Sequence, residues 1–294
     1  MLIPPKSLSR TERDRRWQLA RDIIQTENLA ALIVYGDREA AAPAGFAPDC
    51  YFTNDRPGSI VVFIGDEPPR VYTFASLMVA DHLQASLRGD LQWIDAEQLF
   101  VGKTGPDVGA WLASRRLEGT RIGIIGLEPY PPFYFDGAMP ARTFQGLADA
   151  LPTVTWVPVY REFFRRASVK SEEELALVRY AAHIGETMCE ALRATARPGV
   201  SEADLVAAVT ATCFSMGGYT AELLLGSGPE YVGWGATGLA IPRTGATGVA
   251  GRRSRAVGDL RAVRYDGNTA PGCCRHRRRA PGDIARRRGG QGEL

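Results

Sequence analysis

Residues able to do chemistry are few and scattered. Histidines stand only at positions 82, 183 and 276. His82 sits beside Asp81 in a helical pattern and reads as a partly exposed surface side chain rather than a base. His183 falls on a long helix and reads as a packed or solvated side chain. Cys213, near a helix end, becomes a nucleophile only with a base close by, and the sequence suggests none. Asp259 and Asp266 lie seven apart among arginines, with no third ligand to make a metal site, so they read as solvated charges. Gly226-Ser227-Gly228 lacks the G-x-x-x-x-G-K-[ST] framework of a phosphate loop. Gly123–Gly126 lacks the third glycine of a dinucleotide fingerprint. The residues give no catalytic, substrate-binding or metal site.

The most informative stretch runs from Arg165 to Gly218. Ser171 with Glu174 three places on spells a capping box. Leu175, Val178, Ala182, Cys189 and Leu192 then draw one apolar stripe along a long helix. Arg197-Pro198-Gly199 breaks it, and Ser201 with Asp204 starts a second helix carrying Leu205, Val206, Val209 and Phe214. Gly217-Gly218 stops that one.

Upstream, Arg10–Thr26 reads as a helix with Trp17, Leu19, Ala20, Ile23 and Ile24 on its apolar side. Leu29–Tyr35 is an unbroken apolar run of the kind buried on both faces of a mostly parallel sheet. Further strands are expected at Ser59–Ile64, Arg70–Phe74, Leu91–Ile94, Arg121–Ile125 and Val154–Val159. Helical patterns fall between them at Ser76–Leu87, Pro106–Leu117 and Pro140–Leu151. The alternation argues an α/β layered domain. Cys50–Gly58 reads as a turn-rich segment, Tyr160–Ser168 as a linker and Tyr219–Leu225 as a strand.

Two blocks carry a resemblance. V-K-S-x-x-E-L-x-x-V-R-x-A-A from Val169 and R-P-G-V-S-E-x-D-L from Arg197 look like the opening of the catalytic domain of the creatinase and Xaa-Pro aminopeptidase (M24) family. The aromatic-Thr-Asn segment within Cys50–Gly58 is similar to one in the small N-terminal domain of the same family. The resemblance implies a creatinase-type α/β domain over 1–162 and the first part of a pita-bread domain over 163–235. It implies hydrolysis of a peptide or other small C–N bond in a homodimer, and a divalent metal pair (Mn, Co, Zn or Fe) in intact relatives. Relatives hold that pair with two Asp, one His and two Glu, and place a substrate-binding histidine soon after the Ser-Gly turn. No such histidine follows here. The expectation is a truncated or frameshifted member, without cofactor and catalytically inactive as such.

Composition sets the remaining bounds. The five cysteines include no C-x-x-C, which favours free thiols in a cytoplasmic protein over a disulfide framework. No apolar run approaches the roughly 18 residues of a membrane span. The net charge of +2 hides a split between an acidic body of −7 over residues 1–235 and a basic end of +9 over 236–294, where 13 Arg meet no Lys. With Tyr265 its sole aromatic, that end cannot offset an ordering cost of roughly 1–2 kcal/mol per residue, and disorder is expected. It reads as a nucleic-acid arm, a solvated tail, or the product of a shifted reading frame. The third reading is preferred, because degenerate codons read one nucleotide later permit a G-D-V-V-L strand, a Gly-rich turn and an A-V-G-E strand. Nucleic acid is accordingly not the expected partner. A non-enzymatic dimerisation module with a basic tail is the alternative function.

Overall fold

The computed structural model describes residues 7–37, 47–55, 58–129, 137–197, 199–219 and 223. Helix α1 (Arg10–Thr26) begins where the Ser9 side chain accepts from the Glu12 amide, and Trp17, Leu19, Ala20, Ile23 and Ile24 form its buried face. Strand β1 (Ala31–Tyr35) follows with all five residues buried. In chain order come α2 (Pro48–Thr53), β2 (Ile60–Phe63), β3 (Arg70–Thr73), α3 (Ser76–Leu87), β4 (Leu99–Val101), α4 (Gly105–Ser114) and β5 (Arg121–Ile125). They are followed by α5 (Ala141–Ala150), β6 (Thr155–Pro158), α6 (Tyr160–Ala167), α7 (Glu172–Thr195) and α8 (Glu202–Ser215).

The six strands form one sheet in the order β4-β3-β2-β1-β5-β6. Pairs β1–β5, β5–β6 and β3–β4 run parallel, whereas β2 is antiparallel to both β1 and β3. Side chains alternate across a strand, so β1 feeds two cores. Leu32 and Val34 join Trp17, Ile23, Phe52, Phe63 and Phe163 on one face. Ala31, Ile33 and Tyr35 join Val108, Leu112, Ile124 and Leu147 on the other. An apolar run without alternation is what a strand needs when helices cover both faces.

Helices α4 and α5 cover the second face in close contact. A Cβ on Gly105 would stand 2.0 Å from the Thr143 carbonyl oxygen, and one on Gly146 would stand 2.5 Å from Pro106 Cδ. Only glycine permits that approach.

Several expectations are corrected. Cys50–Gly58 is not simply a turn, because Pro48–Thr53 forms α2, closed by Asn54 in the left-handed region. Leu91–Ile94 is not a strand. Its apolar residues are buried as Trp93 and Ile94, while Leu99–Val101 supplies the ladder beside β3. Tyr160–Ser168 is not an extended linker, since Tyr160–Ala167 is helix α6 with Phe163 fully buried. On α7 the buried stripe is Ala181, Ile184, Met188 and Leu192, the last three clustering with α8. Val178, Ala182 and Cys189 face outward. On α8, Leu205, Val209 and Cys213 are buried and Phe214 is exposed. Of the expected Tyr219–Leu225 strand only Tyr219 and Leu223 are among the described residues, and the rest of residues 220–294 lie outside them.

Asp49 joins three segments of the first core. Its Oδ2 accepts from the Gly58 and Ser59 amides, both at 2.8 Å, at the entry to β2. A Cβ on Gly36, just past β1, would stand 1.9 Å from its carboxyl carbon. Burial pushes Asp49 up to about 6 against the opposing pull of these amides and of Lys103. A raised folded-state pKa means a contribution present in full below the unfolded value of 3.8 and lost as pH rises through about 6. The loss is about 3 kcal/mol. Between pH 3.5 and pH 7, urea denaturation should therefore move in favour of Asp49→Asn over the parent chain by that amount. An unchanged difference would show that Asp49 ionises without penalty.

Candidate functional site

The densest arrangement of charged groups lies where the α/β body meets α7. Arg16 sits in register with the apolar stripe of α1, three, four and seven places before Leu19, Ala20 and Ile23, and its side chain is 5% exposed. Its Nε donates to Glu12 at 2.7 Å, and Nη2 donates to Glu174 at 3.0 Å. Nη1 donates to the Tyr51 carbonyl at 2.9 Å. The guanidinium lies over the Tyr51 ring at 4.2 Å and near the Trp93 ring at 5.2 Å. Arg15 bridges the same two carboxylates, at 2.8 Å to Glu12 and 2.7 Å to Glu174.

Glu174 therefore has two tasks. As the third residue of α7 it closes the capping box: Ser171 Oγ accepts from its amide, and its carboxylate accepts from the Ser171 amide at 2.9 Å. The same carboxylate receives two arginines from α1, 158 and 159 positions away. Next to it, Glu173 accepts from both the amide and the hydroxyl of Ser9, the cap of α1. The caps of the two helices are thus locked to each other. Burial pushes Glu12 up, but its hydrogen bonds to Arg15 and Arg16 outweigh that and hold it below the usual carboxylate range. Burial lowers Lys170, aided by the two arginines and opposed by Glu174.

The other candidate residues fall apart in space. His82 is not at the surface. It is 4% exposed and faces a cavity of about 10 Å³ lined in part by Thr53, Asp55, Ser59, Thr73 and Met78. Neither ring nitrogen has a hydrogen-bond partner among the described residues, and the Asp55 carboxylate stands 4.0 Å from Nδ1. The space suits a single water and is far below the ~300 Å³ of a ligand pocket. His183 is half-buried on α7, with Nδ1 3.9 Å from Glu186. Cys213 is fully buried in the α7–α8 core, and burial raises its thiol pKa, the wrong direction for a nucleophile. Gly123 is an interior residue of β5 facing Leu29 and Leu32. Asp259, Asp266, His276 and Gly226-Ser227-Gly228 lie outside the described residues.

Among the described residues no three His, Cys, Asp or Glu side chains come together in a way that could hold a metal ion. The metal pair that the resemblance implies for intact relatives thus finds no matching donor set there. Nor is any described helix long and apolar enough to cross a membrane.

The sequence reading missed Glu12, Arg15, Arg16 and Trp93. One signal was available: a charged side chain in register with an apolar stripe must be paired once buried. Its partner, 158 residues away, was not legible.

No protein-family model matches the sequence, and no curated protein matches it. Solved structures do. Dipeptidase PepE from Mycobacterium ulcerans is 18% identical with a TM-score of 0.50, over 72% of this chain and 51% of its own. Prolidase from Thermococcus sibiricus is 13% identical, also with a TM-score of 0.50, over 70% of this chain and 50% of its own. Over the matched part this chain has their mixed α/β fold, and it spans about half the length of each.

Removing one member of a buried, mutually paired set leaves an uncompensated charge, which costs about 3–5 kcal/mol. Glu174→Ala should lower the unfolding free energy by that much in urea denaturation. Glu174→Gln should cost less, because its amide oxygen can still accept from Ser171. Equal, negligible losses in both variants would show that the pairs contribute nothing.

Proposed function

We propose that this chain belongs to the creatinase and Xaa-Pro aminopeptidase family, as an α/β body with the opening helices of the second domain. Hydrolysis of a dipeptide or other small C–N bond is then the ancestral reaction, and this chain is a scaffold that does not catalyse it. One observation carries the reading. Glu174, the acid of V-K-S-x-x-E, caps α7 and receives Arg15 and Arg16 from α1, so the motif that carries the resemblance is also the joint of the fold. The second motif begins at the first capping turn after α7, where Ser201 accepts from Asp204 to start α8. Both positions lie in a fold held in common with a dipeptidase and a prolidase.

The described groups support a scaffold role. His82 is closed into a one-water cavity, Cys213 is a buried thiol and His183 stands on an outer helix surface. In the arginine–glutamate cluster Arg16 Nε, Nη1 and Nη2 and Arg15 Nε and Nη2 all donate to protein groups, so it orients helices rather than substrate.

The test uses the purified chain with Xaa-Pro dipeptides and added Mn²⁺, Co²⁺ or Zn²⁺, with and without EDTA. No release of proline above the protein-free blank is expected under either condition. Turnover that EDTA abolishes would overturn the scaffold reading and return the chain to the metallopeptidases.

A further inference from the structure

Lysine is rare in this chain. It stands only at positions 6, 103 and 170, although Lys and Arg together number 35. Lys6 lies outside the described residues. Lys103 is firmly held: its Nζ donates to the Gly36 carbonyl, stands 4.3 Å from the centre of the Tyr35 ring and attracts the Asp49 carboxyl. Lys170 is placed differently. It lies in the short turn from α6 to α7, half-buried, just after the exposed Ser168 and Val169. Its Nζ donates to the Ala167 carbonyl at 2.8 Å, at the C-terminal end of α6. No ion pair joins it to a carboxylate among the described residues. The carboxylates of the joint are taken, Glu12 and Glu174 by Arg15 and Arg16, and Glu173 by Ser9. Two arginines balance two glutamates, which leaves Lys170 as the surplus cation.

That setting activates an amine. A lysine that is desolvated or set near other cations gives up its proton more readily and becomes a nucleophile. Burial lowers Lys170 below the ordinary lysine value; Glu174 opposes this, and Arg16 and Arg15 add to it. The Tyr51 phenol beside Arg15 stays neutral near pH 8, because burial raises it. The same joint suits an anion. The Arg15 side chain is 37% exposed. Its bonds to Glu12, Glu174 and Tyr51 use Nε and Nη2, which leaves Nη1 outside them.

We propose that Lys170 is a modification site that takes an acyl group from an acyl phosphate. The Nζ lone pair attacks the acyl carbon and forms the N–C bond, and the bond from that carbon to the phosphate oxygen breaks. Phosphate leaves with the electron pair and takes one amine proton, so the products are an amide and hydrogen phosphate. The amide is uncharged, and the two arginines and two glutamates are left in balance. The anionic leaving group suits the partly exposed Arg15 guanidinium, since charge-assisted bonds to phosphate are the stronger ones. The proposal does not depend on the reaction assigned above.

The probe is acetyl phosphate at about pH 8, with acetylation at each lysine followed by peptide mass spectrometry. Lys170 should react several-fold faster in the native chain than in the urea-unfolded chain, whereas Lys103 should react more slowly in the native one. The pH at which the Lys170 rate reaches half its maximum should be lower in the native chain. With p-nitrophenyl acetate, which carries no charge, the native-to-unfolded ratio at Lys170 should be smaller than with acetyl phosphate, and salt should narrow the gap. Glu174→Gln removes the opposing carboxylate, so in the folded variant, checked by circular dichroism, Lys170 should react faster still. If that variant does not fold, the native and unfolded parent chains alone decide the matter. A Lys170 that reacts no faster folded than unfolded overturns the proposal. So does an equal enhancement with the uncharged ester, or a slower reaction in folded Glu174→Gln.

Discussion

A cluster of three buried charges, Glu12, Arg16 and Glu174, with the partly exposed Arg15 at its rim, fixes how the second part of the chain stands on the first. Glu12 and Glu174 balance Arg15 and Arg16, and the Tyr51 and Trp93 rings flank the Arg16 guanidinium. Such a set is poor evidence for net stability, because taking three of these charges out of water costs nearly as much as their attraction returns. Its effect is orientational. Only one placement of α7 satisfies all four groups, and any other strands a charge in an apolar setting. The capping carboxylate also ends up in the tertiary contact, so the start of the helix and its docking are one event.

The rest of the architecture follows from a sheet that must be covered twice. Alternate residues of β1 serve opposite cores, with α1, α2 and α6 on one face and α4 and α5 on the other. The close approach of α4 to α5 depends on Gly105 and Gly146, where a side chain would meet backbone or proline. Helices α7 and α8 keep a core of their own around Ile184, Met188, Val209 and Cys213. The charged cluster and the Ser9–Glu173 bonds are what tie that pair back to the body.

Much of this was legible because it was local. The Ser171–Glu174 and Ser201–Asp204 caps, the α1 stripe and the β1 run all followed from spacing and appear as read. Legibility failed where a tertiary contact chose between local alternatives. Leu91–Ile94 has strand composition, but Trp93 is drawn onto Arg16 and donates to the Leu8 carbonyl, and the ladder position goes to Leu99–Val101. The α7 stripe was drawn one arc away from the true one, because its helix has two adjacent apolar arcs and only α8 decides between them. His82, in a helical pattern beside Asp81, was read as partly exposed, yet it is the buried side chain of α3, and neighbouring Leu83 and Leu87 do not take the inner face. The structure turns them out.

The most direct test of the joint is native-state hydrogen exchange in rising urea, followed at the amides of the first two turns of α7 and at the buried face of α1. The Leu175 amide, bonded to the Ser171 carbonyl at 2.9 Å, should open with the same free energy and urea dependence as the Ile23 and Ile24 amides. That result would make the start of α7 part of the folded body. Exchange of the α7 amides at low free energy, with α1 still protected, would contradict it. The cluster would then be a surface contact rather than the joint of the fold.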